Sequence, residues 1–395
     1  MNSSGESGLK ICHVITRMIV GGAQENTLYT ILGHLRKGYP VTLVTGPSPG
    51  REGKLLQNVD FPPFEIVEQP HLVRELSPFD DWKACRELER FFRERKFDVV
   101  HTHSSKAGIL GRIAARRAGV PVVVHTVHGQ AFTPYEKPWK NFIYRVAERI
   151  AARRSDRIFA VAQAMIDQCV EAKVAPRELY KVVYSGMDTR QFADSRPDPE
   201  LRRELGIPEG ARVIAVVARL FPMKGYEYVI PAFAGLSREF PDLRLLVVGD
   251  GPMYDALHRQ IGELGLTGRV HFAGLVPPDQ VHRYLALAGM LWHLSLREGL
   301  PRSVVQALAS GIPAVGFRLD GTPEVVLDGE TGYCVEPENV SGVMEATRRI
   351  LTTPGLSRSM GENGRRLVLE RFDWHRMAEI LEQEYLELYR RKTGR

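Results

Sequence analysis

Cysteine is scarce in this chain of 395 residues. There are four, Cys12, Cys85, Cys169 and Cys334, scattered and with no C-x-x-C pair. Their placement indicates neither a disulfide framework nor a zinc site, and reduced thiols of a cytosolic protein are the plain reading. Long apolar runs are also missing. No segment reaches the ~18 consecutive apolar residues of a membrane span. The opening MNSSGESGLK is polar and lacks the apolar core of a signal peptide, so no leader is expected. Neither sign of charge dominates: 53 Lys and Arg stand against 47 Asp and Glu, a net charge of +6. A mildly basic balance suits a polyanionic small molecule or an anionic membrane surface. Without any DNA- or RNA-binding motif, nucleic acid is not an expected partner.

What is present is the balance of a globular protein, 44% hydrophobic and 25% charged residues, at a length that suits two domains of roughly 150–200 residues each. Short β-branched runs alternate with amphipathic stretches. KICHVIT, PVTLVTG, FDVVHTH, VPVVVHT and RIFAVA read as strands, and the segments near 22–36, 81–96, 105–118 and 137–155 as helices. Such alternation means βαβ units and a mainly parallel sheet. The rhythm breaks over 185–210, rich in Pro, Asp, Arg and Gly, which reads as a linker. It restarts with ARVIAVVARL, DLRLLVVGDG, RVHFAGL, GMLWHLS, IPAVGF and GYCVEP as strands. The tail DWHRMAEILEQEYLELYRRK is one amphipathic helix. The expected architecture is therefore α/β: a Rossmann-like domain over 9–186, a second over 187–372, and a helix over 373–395 that crosses back onto the first. In open α/β sheets ligands bind beyond the carboxyl ends of the strands, so two such sheets facing each other would form a cleft.

The motifs fall at those strand ends. Gly21 and Gly22, in MIVGGAQENT, either make a tight strand–helix turn or let backbone amides approach an anion. The dinucleotide pattern G-x-G-x-x-G is absent there. Arg219 and Lys224, in ARLFPMKGYEY, either face solvent or hold a diphosphate. Gly249, Asp250 and Gly251, before Pro252, form a capped turn or a phosphate- or ribose-facing one. In SLREGLPRSVVQALASG, Glu298 stands at a strand end, Pro301 opens a helix and Gln306 lies in its second turn. A carboxylate there is a partner for the helix dipole or an acceptor for sugar hydroxyls. His101 and His103 form an H-x-H pair with no third metal ligand apparent, and core histidines are the alternative for His101 and His125. His128 precedes a glycine at a strand end. Lys106 follows a serine pair and leads an apolar helix, where it suits an anionic acceptor. Around Trp139 and Phe142, Lys137, Lys140, Arg149 and Arg157 make a basic amphipathic helix, suited either to a solvated face or to anionic lipid.

Taken in order, G-G-A, R-L-x-x-x-K-G, G-D-G-P, E-G-L-P and DGTPEVVLDGETGYCVEP resemble the family-4 retaining glycosyltransferases of the GT-B fold, over about residues 9 to 390. The resemblance implies two facing Rossmann-like domains, a nucleotide-sugar donor held mainly by the second and an acceptor held mainly by the first. It implies no metal and no cofactor beyond the donor. It assigns Arg219 and Lys224 to the donor diphosphate, with Gly22 near the same phosphate, and Glu298 to the donor sugar. Gly249, Asp250, Leu300, Pro301, Arg302, Ser303 and Gln306 complete the donor set. His128 is implied at the reacting sugar or acceptor, beside Lys106. Two departures stand out: Gln306 replaces the second glutamate of the E-x7-E pattern, and Ser185 stands where Asn is usual. The expected function is retaining transfer from a uridine diphosphate sugar to a hydroxyl of a lipid-linked or polysaccharide precursor, in the cytoplasm or on the inner face of the cell membrane. With no second carboxylate evident for a double displacement, same-face attack is the expected route. A nucleotide-sugar epimerase of the same fold and a non-catalytic sugar-nucleotide-binding protein are the alternatives.

Overall fold

The computed structural model describes residues 8–48, 55–57, 61–133 and 136–394, so the polar N-terminal stretch through Ser7 lies outside the described residues. The chain divides into two compact units, one of Met1–Met187 together with Trp374–Arg395, the other of Asp188–Asp373.

The first unit is built on a seven-stranded sheet in the order β3-β2-β1-β4-β5-β6-β7, with every neighbouring pair parallel. Its strands are β1 (Ile11–Ile15), β2 (Val41–Thr45), β3 (Glu65–Glu68), β4 (Val99–His103), β5 (Val122–Val127), β6 (Arg157–Ala160) and β7 (Tyr180–Val182). All residues of β1, β2 and β4 are buried, the pattern of strands covered on both faces. The five strands expected from apolar runs are present. The two missed, β3 and β7, are the sheet edges. The first carries a glutamate at each end and the second is three residues long with Lys181 at its centre. Short charged edges resist further pairing, and for the same reason leave no apolar signature.

The helix Trp374–Thr393 packs on the helix Gly22–Arg36. Contact is close because Gly33 has no side chain: a Cβ there would lie 2.3 Å from the Cβ of Ala378. Trp374, Met377, Leu381, Tyr385 and Leu388 enter the same core as Ile11, Ile15, Leu28 and Leu43.

The second unit holds a six-stranded parallel sheet in the order β10-β9-β8-β11-β12-β13. The strands are β8 (Arg212–Val217), β9 (Leu243–Val248), β10 (Val270–Gly274), β11 (Met290–His293), β12 (Ala314–Phe317) and β13 (Gly332–Val335). All six were expected. Most of the presumed linker, by contrast, belongs to this unit. Arg190–Ala193 and Pro199–Glu204 are helical, and Phe192, Leu201 and Ile207 are buried. Single apolar residues spaced by polar ones leave no periodic trace.

Each sheet reverses its strand order once, between β1 and β4 and between β8 and β11. The crevice beyond the carboxyl ends at such a reversal is where open α/β sheets take ligands. The buried contribution of the last helix is testable. Leu381→Ala should lower the unfolding free energy of the first unit by about 2–5 kcal/mol, read from the urea midpoint. The exposed Glu387→Ala should stay within about 0.5 kcal/mol of wild type. Equal midpoints for both variants would mean the helix does not carry the core.

Candidate functional site

At the reversal in the second sheet, the chain leaves β8 and turns through Arg219–Gly225 into the helix Tyr226–Glu239. Gly225 has a left-handed backbone (φ +80°), and a Cβ there would fall 1.9 Å from the carbonyl oxygen of Leu294. Glycine is thus required for the turn to lie on the end of β11. The carbonyl of Met223 accepts hydrogen bonds from the Leu296 amide at 2.9 Å and the Ser295 hydroxyl at 3.1 Å. Held in this way, Lys224 donates through Nζ to Glu298 Oε1 at 2.6 Å.

Glu298 is fixed from the other side as well. Its backbone amide donates to Asp320 Oδ2 at 2.7 Å, and His293 Nε2 lies 3.6 Å from Oε1. Burial is the largest single influence and opposes the charged carboxylate, but the Lys224 ammonium, His293 and a Ser295 hydrogen bond together outweigh it and hold Glu298 below the ordinary glutamate range. His293 is driven down to about 4, chiefly by burial, so its imidazole is neutral at pH 7. Its Nδ1 faces Ser303 Oγ at 3.3 Å.

Arg219 is exposed, with its guanidinium over the Phe221 ring at 5.0 Å, and it has no ion pair among the described residues. Gly249 and Gly251 support that loop. Cβ atoms on them would lie 2.1 Å from the Ala218 carbonyl oxygen and 2.5 Å from that of Leu220. The Leu220 amide bonds the Asp250 carbonyl at 3.0 Å, while the Asp250 carboxylate accepts from the Gly251 amide at 2.7 Å. In the helix Arg302–Ala309, Val304, Val305, Ala307 and Leu308 are buried, which leaves Arg302, Ser303 and Gln306, all half-buried, on the opposite face. Leu300 and Pro301 are buried in the turn before it.

The reversal in the first sheet carries histidines instead of ions. Gly21 caps the helix that Gly22 begins, and Thr16 after β1 is tied to Ser104 after β4 by hydroxyls 2.8 Å apart. His13 lies on β1 in register with His101 on β4. His13 Nδ1 meets His103 Nε2 at 3.0 Å, and His103 Nδ1 meets His128 Nε2 at 3.1 Å. His101 bonds the Tyr385 hydroxyl and, at 2.7 Å, Thr126 Oγ1. His125 Nδ1 meets Thr102 Oγ1 at 3.0 Å. Burial pushes His13, His101, His103 and His125 well below the usual histidine range, and His34 down to about 4.

The third imidazole that the H-x-H pair lacked in sequence is His13. One nitrogen each of His13, His101 and His103 lie within 4.8 Å of one another. The nitrogens of His101 and His103, and Nδ1 of His13, are already engaged in the hydrogen bonds above, which makes the group a hydrogen-bonded network as it stands. Lys106 needs correction. Its ammonium is committed to Asp81 Oδ1 at 2.6 Å and to the Glu75 carbonyl, rather than open to an acceptor. The basic helix Pro138–Ala152 exposes Trp139, Phe142 and Ile143. Arg149 turns to the Lys173 carbonyl and Arg157 to Glu384, so the outward basic face is narrower than the sequence implied. Among the described residues, no helix is long and apolar enough to cross a membrane.

Comparison with known proteins adds a family to this geometry. Residues 21–186 match the glycosyl transferase 4-like domain and residues 197–367 match the glycosyl transferases group 1. A GDP-mannose-dependent alpha-(1-6)-phosphatidylinositol monomannoside mannosyltransferase of Mycolicibacterium smegmatis is 31% identical, over 91% of this chain and 94% of its own. The chain belongs to the family-4 glycosyltransferases. The UDP-Gal:alpha-D-GlcNAc-diphosphoundecaprenol alpha-1,3-galactosyltransferase of Escherichia coli is 28% identical to the enzyme, over 98% of both chains. The crystal structure of Anabaena HepE in complex with UDP is 26% identical, with a TM-score of 0.79 over 96% of this chain and all of that one. The enzyme is thus a GT-B glycosyltransferase that uses nucleotide sugars.

Within the enzyme, His13, His293 and Asp320 were missed by reading the sequence. Each lies on a strand or just beyond its carboxyl end, in a place the strand-end rule could have flagged, but their partners are fixed only by strand order. The neutral histidines carry a pH signature. Their folded affinity for protons is below that of the unfolded chain, so stability is full above about pH 6.5 and is lost as pH falls toward the folded values. Each such histidine contributes up to about 1.4 kcal/mol per pH unit in that window. The urea midpoint of the first unit should drop steeply from pH 7.5 to 5, and less steeply in a His34→Leu variant. A midpoint that rises on acidification would contradict this assignment.

Proposed function

We propose that the enzyme transfers a sugar, with retention of configuration, from a uridine diphosphate sugar to a hydroxyl of a lipid-linked or polysaccharide-precursor glycan, and that it needs no metal ion. The observation that carries this reading is the Lys224–Glu298 pair at the sheet reversal, with Arg219, in no ion pair among the described residues, on the same loop. Negative charge grows on the departing diphosphate. Two fixed cations there stabilise it as a metal would elsewhere. Lys224 is then shared between the diphosphate and Glu298, whose carboxylate accepts hydroxyl hydrogen bonds from the donor sugar. Gln306, on the half-buried face of its helix, accepts a ribose hydroxyl without the charge assistance of a glutamate, a difference of roughly 1–2 kcal/mol. His128 meets a sugar or acceptor hydroxyl. UDP as leaving group is supported by the UDP in Anabaena HepE and by the UDP-galactose in the name of the Escherichia coli relative. That relative's diphosphoundecaprenol acceptor supports a lipid-linked one here.

In a donor-consumption assay run with excess chelator, the wild-type enzyme should keep its full rate and form a new glycoside. Lys224→Ala should lose about 2–4 kcal/mol of transition-state stabilisation, roughly 30- to 1,000-fold in kcat/KM. A fully active variant would remove Lys224 from the mechanism. Activity abolished by chelator and restored by magnesium or manganese would refute metal independence. Product analysis separates transfer from donor epimerisation and from binding without turnover, the two alternatives that the sequence leaves open.

A lipid-linked acceptor goes with a peripheral position on an anionic membrane. Trp139, Phe142 and Ile143 are 47–64% exposed beside Lys137, Lys140 and Arg153. Apolar side chains and a basic rim on one helix suit the interface of an anionic bilayer. The enzyme should sediment with phosphatidylglycerol-containing vesicles and not with phosphatidylcholine vesicles, and the double variant Lys137→Glu/Lys140→Glu should release it. Equal binding to both vesicle types, or to neither, would reject the electrostatic docking.

A further inference from the structure

The histidine network of the first unit reaches His128 through His103, and proton counting along it determines which nitrogen of that ring carries its proton. A neutral imidazole carries one N–H, and the other ring nitrogen is an acceptor. His13 and His103 are fully buried, where a charged imidazolium is disfavoured. His13 Nδ1 and His103 Nε2 are 3.0 Å apart, so one of them holds the proton between them. The second nitrogen of His13, Nε2, is buried and without a hydrogen-bond partner. A proton placed there would be an orphaned N–H in the core, which folded proteins tolerate less well than an unused acceptor. The His13 proton is therefore on Nδ1, donated to His103 Nε2. His103 then carries its own proton on Nδ1, donated across 3.1 Å to His128 Nε2. With Nε2 accepting, the proton of His128 sits on Nδ1.

We infer that His103 and His13 are positioning residues which hold His128 in the Nδ1–H form, so that its ring can only donate, through Nδ1, to an oxygen. A histidine side chain free in water prefers the Nε2–H form, so the network reverses the intrinsic choice. The consequence for turnover rests on the proposed contact of His128 with a sugar or acceptor hydroxyl. The tautomer itself does not.

The test uses the full-length enzyme labelled with 15N in its histidines. Long-range 1H–15N spectra at neutral pH report which ring nitrogen is protonated, and His128→Gln identifies the His128 signals by their loss. The expected wild-type result is Nδ1–H for His128 and His103. His103→Leu should return His128 to a mainly Nε2–H form. His103→Asn, whose amide N–H takes the place of Nδ1–H, should keep it Nδ1–H. In kinetics, His103→Leu should lower kcat by about 10–100-fold, by analogy with the loss of hydrogen-bond partners that orient metal-bound histidines, with donor KM little changed. His103→Asn should regain most of it. Nε2–H on His128 in the wild type, or an unmoved tautomer in His103→Leu, overturns the inference. If His103→Leu does not fold, the wild-type spectrum still decides. Full turnover by His128→Ala would instead remove His128 from the proposed mechanism and leave the tautomer assignment standing.

Discussion

The ion pair between Lys224 and Glu298 is the constraint around which the second unit is arranged. Bringing an ammonium and a carboxylate together in a partly enclosed place costs solvation, and the cost is offset only when the geometry is held firmly. The surroundings do the holding. Gly225 allows the Lys224 turn to rest on the Leu294 carbonyl, Met223 adopts a left-handed backbone to accept two hydrogen bonds, and Asp320 anchors the Glu298 amide. The glycines after β9 keep Arg219 on the same loop without demanding anything of its side chain. Such a pair suits a ligand with a diphosphate at one end and hydroxyls at the other, since each charge finds a new partner as the old contact loosens.

The first unit addresses its own sheet reversal in a different way. It places neutral rings where the second unit places charges, and links them by hydrogen bonds from β1 through β4 to the turn after β5. Neutral groups avoid the solvation cost of ions in a fully buried place, and they transmit orientation and not field. The contrast fits the chemistry proposed for each half, in which charge would be stabilised where a diphosphate leaves and a hydroxyl would be aimed where a sugar or acceptor is held.

Much of this could be read before any coordinates. Continuous apolar strands declared a buried parallel sheet, and the strand-end rule picked out Arg219, Lys224, Glu298 and His128. What stayed hidden shares a physical cause. Edge strands such as β3 are charged and short, so they carry no apolar run. Phe192, Leu201 and Ile207 are buried one at a time. The partnerships of His13 with His103 and of Lys224 with Glu298 depend on β1 lying beside β4 and β8 beside β11, an ordering that spacing along the chain does not encode. Lys106 shows the opposite failure. Its position was suggestive, and Asp81, contributed by a neighbouring helix, had already claimed it.

The return of the last helix to the first unit has a consequence for how the protein is made. Trp374, Met377, Leu381, Tyr385 and Leu388 complete a core whose other members lie between Leu9 and Val183. The second unit, Asp188–Asp373, is continuous and has a core of its own. On a ribosome, which releases the chain from its N-terminus, the second unit can therefore finish folding while the first, although synthesised earlier, still lacks part of its interior. Until the helix Trp374–Thr393 has been synthesised, the side of the helix Gly22–Arg36 that packs on it lacks that cover, and that interval is when a chaperone would find the nascent enzyme most in need of it.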